Sequence, residues 1–152
     1  MIVRVFNTGT NNGNSPVNYL MGNKDHTGKT RSFEPELIEG NPELTIDLIN
    51  LIEREHKYSS GVIAFKAGEN PTQEQLKEVI KDFRKAMLPG LTSGVHFNDL
   101  YIAHRENGIV ELHFIVPKLN PKSLQLFPFR LVPSQISVPS IILFPQVWVA
   151  FT

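Results

Sequence analysis

Two histidines and a glutamate in residues 104–117, HRENGIVELHFIVP, have types and spacing that could bind a metal ion. The Asn-Gly pair in this segment favours a two-residue hairpin loop, because both residue types tolerate the positive φ angles of a type I′ turn. With that loop, His104 lies opposite Glu111, at roughly 5 Å between Cβ atoms. Side chains alternate along a strand, so His113 shares their face. Two imidazoles and a carboxylate on one face suit a divalent metal with open coordination positions.

The same three residues also have a simpler interpretation. A half-solvated antiparallel sheet carries polar side chains on its exposed face, and His104, Glu111 and His113 could be such a face. The spacing alone leaves both interpretations open.

Length and composition narrow the class of protein. The chain has 152 residues, of which 41% are hydrophobic, and this is enough for one domain with a sizeable core. The formal net charge is zero, so no overall basic character predicts nucleic-acid binding, although a local patch is sufficient for it. The absence of cysteine excludes disulfides and thiolate metal sites and favours a cytoplasmic protein. No signal peptide is recognisable, and no apolar run predicts membrane insertion.

The elements predicted around the hairpin make an α+β domain, with an antiparallel sheet and helices packed on one face. Periodicity and cap signals predict strands at 2–7, 59–67, 96–104 and 109–117, and helices at 15–21, from 41 to about 56, and from 72 to about 88. Residues 23–40 are predicted to be a polar connection. This arrangement leaves one face of the sheet free for a site.

Tyr19 lies in the middle of the first predicted helix, after a loop rich in Gly and Asn. A tyrosine in such a helix is usually half-buried packing. Three cations follow in the polar connection, Lys24, Lys29 and Arg31. They are candidates for phosphate contacts, and a solvated loop is the alternative.

The composition changes after about Leu124. Residues 125–152 hold one charged residue, Arg130, and four prolines that recur through an otherwise apolar stretch. The segment does not alternate as a strand does, and its prolines disfavour a helix. We therefore expect a domain at 1–124 and, at 125–152, an atypical tail that is not a domain, produced by truncation or by a shifted reading frame.

Residues 1–124 resemble the relaxases, or mobilisation nucleases, of small mobilisable plasmids of the colicin type. Those enzymes belong to the HUH endonucleases, a superfamily of tyrosine-dependent single-strand nucleases with a paired-histidine metal motif. Three segments carry the resemblance, in matching order and spacing: MIVRVF with the following loop and SPVNYLMG, then HKYSSGVIAF, and finally MLPG through HRENGIVELHFIVPKL. The colicin subgroup usually has asparagine where this chain has His113, and the superfamily in general has histidine there.

The resemblance implies a relaxase-like fold and a DNA relaxase that nicks one strand at a plasmid transfer origin for conjugative mobilisation. It makes Tyr19 the nucleophile that attacks the scissile phosphate, and His104, Glu111 and His113 the ligands of a divalent metal. Mg²⁺ or Mn²⁺ is expected, with Zn²⁺ or Ni²⁺ as alternatives. The implied partners are single-stranded DNA at the origin and accessory mobilisation proteins.

Two other functions remain open at this point. A catalytically inactive fragment would only bind single-stranded DNA or a partner protein, without forming a covalent link to DNA. An α+β domain with no nucleic-acid role would agree with the zero net charge.

Overall fold

The computed structural model describes residues 1–126 and 148–151 of the chain. In chain order these residues form β1 (Ile2–Val5), α1 (Asn14–Met21), β2 (Glu36–Glu39), α2 (Pro42–Asn50), β3 (Tyr58–Ala64), α3 (Gln73–Met87), β4 (Leu100–Glu106), β5 (Ile109–Pro117) and β6 (Trp148–Phe151). The strands make one sheet in the order β2-β4-β5-β3-β1-β6. The first five are antiparallel to their neighbours, and β6 runs parallel to β1 at the edge. The predicted α+β class is confirmed.

The hairpin of β4 and β5 has the predicted register. His104 pairs with Glu111, and Glu106 pairs with Ile109 across the two-residue loop. Asn107 and Gly108 both have positive φ, 53° and 73°, as the turn requires. Since β5 lies between β3 and β4, the polar end of this hairpin is held near the centre of the sheet.

The helices pack on both faces of the sheet, whereas the sequence analysis placed them on one face. One core joins α3 to the side chains of Leu112 and Phe114. A second core joins α1 and α2 to Ile102 and Ile115, which point the other way from the same strands. The reason is that only the hairpin end of the second face is polar. Further along β4 and β5 that face is apolar and needs a cover, which α1 and α2 provide.

The ends of the helices follow local capping chemistry. Thr72 and Gln75 form the predicted capping box of α3, and Asn41 caps α2 by accepting a hydrogen bond from the Leu44 amide. By contrast, α1 begins after Gly13 rather than at Ser15. Gly13 has no side chain to cap it, and the Asn12 side chain accepts a hydrogen bond from the Ser15 amide at 3.2 Å. The second helix ends at Asn50, earlier than predicted.

Two short strands were not predicted. The first, β2, lies within the expected polar connection and pairs with the edge of β4. The second, β6, lies in the apolar tail, where the pattern indicated no strand, and pairs with β1 through its backbone. The predicted domain boundary near residue 124 is not tested, because most of the tail lies outside the described residues. In the ranges that are described, no helix is long and apolar enough to cross a membrane.

A buried ion pair connects α3 to the edge of the sheet. The Asp99 side chain is 1% exposed and accepts two hydrogen bonds from the Arg84 guanidinium, at 2.7 and 3.0 Å. The hydroxyls of Ser93 and Tyr101 donate to the same carboxylate. Arg84 also pairs with Glu39 of β2 at 2.8 Å. These bonds satisfy each oxygen of a carboxylate that would be costly to bury alone.

Asp99→Ala should destabilise the protein by about 3 kcal/mol, because it leaves Arg84 and two hydroxyls without their buried acceptor. Glu74→Ala, which breaks an exposed pair with Lys77 on α3, is the control and should change stability by less than about 0.5 kcal/mol. Urea unfolding monitored by circular dichroism measures the free energy of unfolding of both variants and of the wild type. An Asp99→Ala variant as stable as the control would contradict this account of the ion pair.

Candidate active site

A polar cleft of about 220 Å³ opens at the hairpin end of the sheet face that α1 partly covers. The described residues that line it are Tyr19, Asp25, His26, Arg31, His104, Glu106, Asn107, Ile109, Glu111 and His113. Five of the seven residues singled out from the sequence therefore meet here, and they come from α1, the connection after it, and the hairpin. The other two, Lys24 and Lys29, are exposed on that connection and do not line the cleft.

His104 connects the sheet to α1. Its imidazole Nε2 lies 2.7 Å from the carbonyl oxygen of Leu20, and the residue is 7% exposed. Burial lowers the pKa of His104 to about 4, so the ring is neutral near pH 7. A neutral ring that donates Nε2–H to this carbonyl keeps a free lone pair on Nδ1. Since Leu20 follows Tyr19, the hydrogen bond also fixes the end of α1 that carries the tyrosine.

Glu111 and His113 form a pair on the same face. The His113 Nε2 lies 3.2 Å from Oε2 of Glu111. This hydrogen bond lowers the pKa of Glu111 below its usual value, and the positive charge of Arg4 acts in the same direction. The carboxylate is therefore ionised near neutral pH. The rings of His104 and His113 lie 4.6 Å apart between centroids, which brings both imidazoles to one patch.

Arg31 holds the end of α1 from the other side. Its side chain is only 5% exposed. The guanidinium donates to the carbonyl oxygens of Gly22 at 3.1 Å and Tyr19 at 3.3 Å, groups left unpaired where a helix ends. Its central carbon lies 5.4 Å from the centroid of the Tyr19 ring, close enough for a cation–π contact. The prediction that Arg31 contacts DNA is not tested, but the structure gives this residue a positioning role that the sequence did not indicate.

Tyr19 is the accessible tyrosine among the three in the chain. It is 44% exposed, whereas Tyr58 is 6% and Tyr101 is 0% exposed. Burial raises the pKa of Tyr58, and that of Tyr101 lies well above the usual value for the same reason. Tyr101 also points to the opposite face, where its hydroxyl donates to Asp99. Of these three tyrosines, only Tyr19 lines the cleft.

The three predicted ligands are of the types that bind a divalent metal, and they lie on one face of the sheet. They supply two imidazoles and an ionised carboxylate on one face, and the hydrogen bond from His104 to a carbonyl is the kind of contact that orients a metal-binding imidazole. As the side chains stand, however, Glu111 and His113 are bonded to each other. Within residues 1–126 and 148–151, no three His, Cys, Asp or Glu side chains are arranged as a metal-binding group.

The sequence analysis missed several residues of this site. Asp25 and His26 line the cleft from the connection after α1, and Glu106 lines it from the end of β4. Arg4 is exposed on β1 and acts electrostatically on Glu111. The signal for Arg4 was present, because it is a single cation in an otherwise apolar strand whose alternation places it on the face of His113.

Two curated proteins are similar to this chain over 78% of its length. One is cryptic plasmid protein C of Neisseria gonorrhoeae, which is 34% identical over 119 residues. The match covers 55% of the length of that protein. The other is the DNA relaxase MbeA of Escherichia coli, which is 32% identical over 120 residues. The match covers 22% of the length of that protein. The chain thus spans about half the length of one relative and about a fifth of the other. These similarities confirm the predicted resemblance to plasmid mobilisation relaxases.

No family model matches the chain. No solved structure matches it either.

The burial of His104 predicts a loss of stability in mild acid. Its pKa of about 4 lies below the value near 6.5 of an unfolded chain, so the unfolded state takes up the proton first as the pH falls. Protonation of His104 should therefore lower the free energy of unfolding by about 2 kcal/mol as the pH falls from 7 to 5. His104→Gln, which keeps a donor for the Leu20 carbonyl but does not titrate, should remove that loss.

Urea unfolding at the two pH values, with a metal chelator present, measures the difference. His56→Gln removes an exposed imidazole outside the cleft and serves as the matched control that keeps the wild-type pH dependence. If wild type and His104→Gln lose the same free energy of unfolding between pH 7 and pH 5, His104 is not the group that causes the loss.

Proposed function

We propose that this chain carries the nicking site of a plasmid mobilisation relaxase, which cleaves one DNA strand at a transfer origin. The observation that carries the proposal is that the exposed Tyr19 and the face formed by His104, Glu111 and His113 share one cleft. The similarity to a DNA relaxase over 78% of the chain agrees with it. A cleft that combines a phenol with imidazoles and a carboxylate suits a transesterification better than it suits a structural role.

In the proposed reaction the Tyr19 oxygen attacks the scissile phosphorus. A P–O bond forms to the phenol, and the bond from phosphorus to the 3′ oxygen of the upstream nucleotide breaks. The phenolic proton leaves to a base or to water, and the departing 3′ oxygen gains a proton to become a free hydroxyl. The downstream strand stays attached to the protein as a 5′-phosphotyrosine. Because one phosphodiester replaces another, the strand can later be rejoined.

The groups around Tyr19 position it for this attack. Arg31 and His104 hold the carbonyls of Tyr19, Leu20 and Gly22, and thereby fix where the helix that carries the phenol ends. Holding a nucleophile in place in this way lowers the entropic cost of reaching the transition state. Phosphates would be attracted by Arg4, Lys24 and Lys29, which are exposed on β1 and on the connection after α1.

We further propose that His104, Glu111 and His113 hold a divalent metal, Mg²⁺ or Mn²⁺, with Zn²⁺ or Ni²⁺ as alternatives. A metal bound there supplies positive charge that polarises the phosphate oxygens. For this to occur, Glu111 and His113 must exchange their mutual hydrogen bond for metal ligation. The lone pair of His104 Nδ1 is available without any change of protonation, because the ring is already neutral.

A second candidate function is a module that binds single-stranded DNA or a partner without cutting. The direct pairing of Glu111 with His113 favours it, since these side chains already satisfy each other. The two functions differ in covalent chemistry, because only the nicking site forms a protein–DNA adduct.

Tyr19→Phe should abolish nicking and the covalent adduct while leaving fold and oligonucleotide affinity unchanged, because it removes only the hydroxyl. The assay incubates the protein and Mn²⁺ with a random-sequence pool of single-stranded oligonucleotides labelled at the 3′ end. The adduct appears as labelled protein on a denaturing gel. A random pool is used so that the result does not depend on knowing the origin sequence.

Tyr58→Phe and Tyr101→Phe are the matched controls, since both rings are buried and away from the cleft opening. Both variants should form the adduct at the wild-type level, provided that they fold. Adduct formation by Tyr19→Phe would show that another residue is the nucleophile.

His104→Ala should weaken metal binding by more than about tenfold, measured by isothermal titration calorimetry with Mn²⁺ and Zn²⁺. His113→Asn should be milder than His113→Ala, because an amide oxygen can still ligate a metal and is the ligand usual in the colicin subgroup. Equal metal binding by wild type and His104→Ala would rule out the site. Metal binding by His113→Ala equal to that of wild type would exclude His113 as a ligand.

A further inference from the structure

The proposed reaction needs a group that accepts the phenolic proton of Tyr19, and the polar cleft holds several side chains that can accept a proton. A general base must lie at the reacting group and must have a lone pair that no other group occupies. The contacts of each side chain therefore decide which of them can serve. The candidates that line the cleft are Asp25, His26, His104, Glu106, Glu111 and His113.

Two of the three carboxylates are hydrogen-bonded to other groups. Oδ1 of Asp25 accepts hydrogen bonds from the hydroxyl of Thr27 at 2.6 Å and from its amide at 2.8 Å. Glu111 lies 3.2 Å from Nε2 of His113. These hydrogen bonds lower the pKa values of Asp25 and Glu111, so both carboxylates are weak bases.

The third carboxylate, Glu106, balances the charge of Arg31. Its Oε1 lies 3.7 Å from Nη1 of Arg31, whose side chain is only 5% exposed. Within the described ranges this buried oxygen accepts no hydrogen bond. A proton there would nevertheless leave a nearly buried guanidinium without its countercharge, which is costly. Glu106 is therefore better suited to charge balance than to proton transfer.

Two of the three imidazoles belong to the proposed metal patch. Nε2 of His104 is bonded to a carbonyl at the end of α1, and Nε2 of His113 is bonded to Glu111. By contrast, His26 is exposed, and in the part of the chain that the structure describes its ring makes no hydrogen bond or ion pair. His26 is thus the cleft base whose lone pair is unoccupied.

A tight turn holds His26 beside the helix of Tyr19. The amide of Gly28 donates to the carbonyl of Asp25 at 3.1 Å, and Gly28 has a positive φ of 85°. The amide of Arg31 donates across the base of this turn at 2.7 Å, while the Arg31 side chain holds the end of α1. The turn and the helix therefore share Arg31 as an anchor.

We propose that His26 is the general base of the nicking reaction. This inference rests on the proposed function and adds the residue that takes the proton. As the phenolic oxygen of Tyr19 bonds to phosphorus, its proton passes to a ring nitrogen of His26. The bond from phosphorus to the 3′ oxygen breaks, and that oxygen takes a proton from water. When the strand is rejoined, the imidazolium returns its proton to the phenolic oxygen.

Asp25 supports this role of its neighbour. After the hydrogen bonds from Thr27, the positive charge of His26 is a further cause of the lowered pKa of Asp25, so the two charges attract each other. The same attraction stabilises the imidazolium that forms when His26 takes the proton.

The experiment measures the rate of adduct formation by the full chain, with saturating Mn²⁺ and the random oligonucleotide pool. His26→Gln keeps a polar side chain but cannot take up a proton. It should lower the rate at neutral pH by about 100- to 10,000-fold. Oligonucleotide affinity with a chelator present and the thermal melting temperature should stay at wild-type values, because the His26 ring makes no structural contact.

The pH dependence distinguishes a base from a structural residue. In the wild type, acid protonates His26, so the rate should fall in the range where imidazoles titrate. In His26→Gln the rate should instead rise about tenfold per pH unit toward alkaline pH, as hydroxide ionises the phenol. The other charged groups of the cleft are the same in both proteins, so the difference between the two profiles reports His26. These groups are Asp25, Arg31, His104, Glu106, Glu111 and His113.

Rescue by free imidazole provides a second measurement. In His26→Ala, imidazole added to the buffer should raise the rate by at least about tenfold, because it replaces the missing base. His56→Gln, which removes an exposed histidine outside the cleft, is the matched control and should keep the wild-type rate and pH profile. Imidazole should not accelerate the wild type or this control.

The outcomes separate the two proposals. A slow His26→Gln that lacks the wild-type inflection, together with rescue of His26→Ala, supports His26 as the base. A wild-type rate and profile in His26→Gln overturn it, and so does a slow variant that keeps the inflection and is not rescued. In both of these cases an adduct at Tyr19 in the wild type keeps the proposed function standing. A wild type that forms no adduct overturns both proposals.

Discussion

The candidate site depends on one buried hydrogen bond, from the imidazole of His104 to the carbonyl of Leu20 at 2.7 Å. The two residues are 84 positions apart in the chain, and the bond joins β4, which carries His104, to α1, which carries Tyr19. It adds a directional link to the apolar packing between α1 and the strands of the hairpin. The bond requires an Nε2–H donor and a carbonyl left unpaired at a helix end, which the end of α1 at Gly22 provides. Burial keeps the ring neutral, so that Nδ1 retains its lone pair.

Arg31 completes this arrangement from the opposite direction. Its nearly buried guanidinium takes up the neighbouring carbonyls of α1 and lies against the Tyr19 ring. Arg31 and the neutral imidazole of His104 thus hold the end of α1. This helix has eight residues and is too short to be stable alone. The remaining support comes from Val17 and Leu20, which pack against Ile102 and Ile115 in the second core. The position of the tyrosine is therefore a property of the tertiary structure rather than of its helix.

This dependence explains which features the sequence could predict. The hairpin register was predictable because Asn107 and Gly108 determine it locally, and the register alone places His104 opposite Glu111. The cap of α3 was predictable for the same reason. The packing of α1 over the site and the role of Arg31 depend on contacts between distant segments, which periodicity does not report. The strand β2 was missed because its four residues carry too short a pattern to be distinguished from a loop.

The measurement that tests the central claim most directly is identification of the residue that carries DNA. The protein is allowed to react with the random oligonucleotide pool and is then digested with nuclease and trypsin and analysed by mass spectrometry. The account predicts a nucleotide attached through a 5′-phosphate to the peptide from Val5 to Lys24, in which Tyr19 is the only tyrosine. Attachment to the peptides that contain Tyr58 or Tyr101, or a reaction that cuts DNA without any attachment, would contradict it.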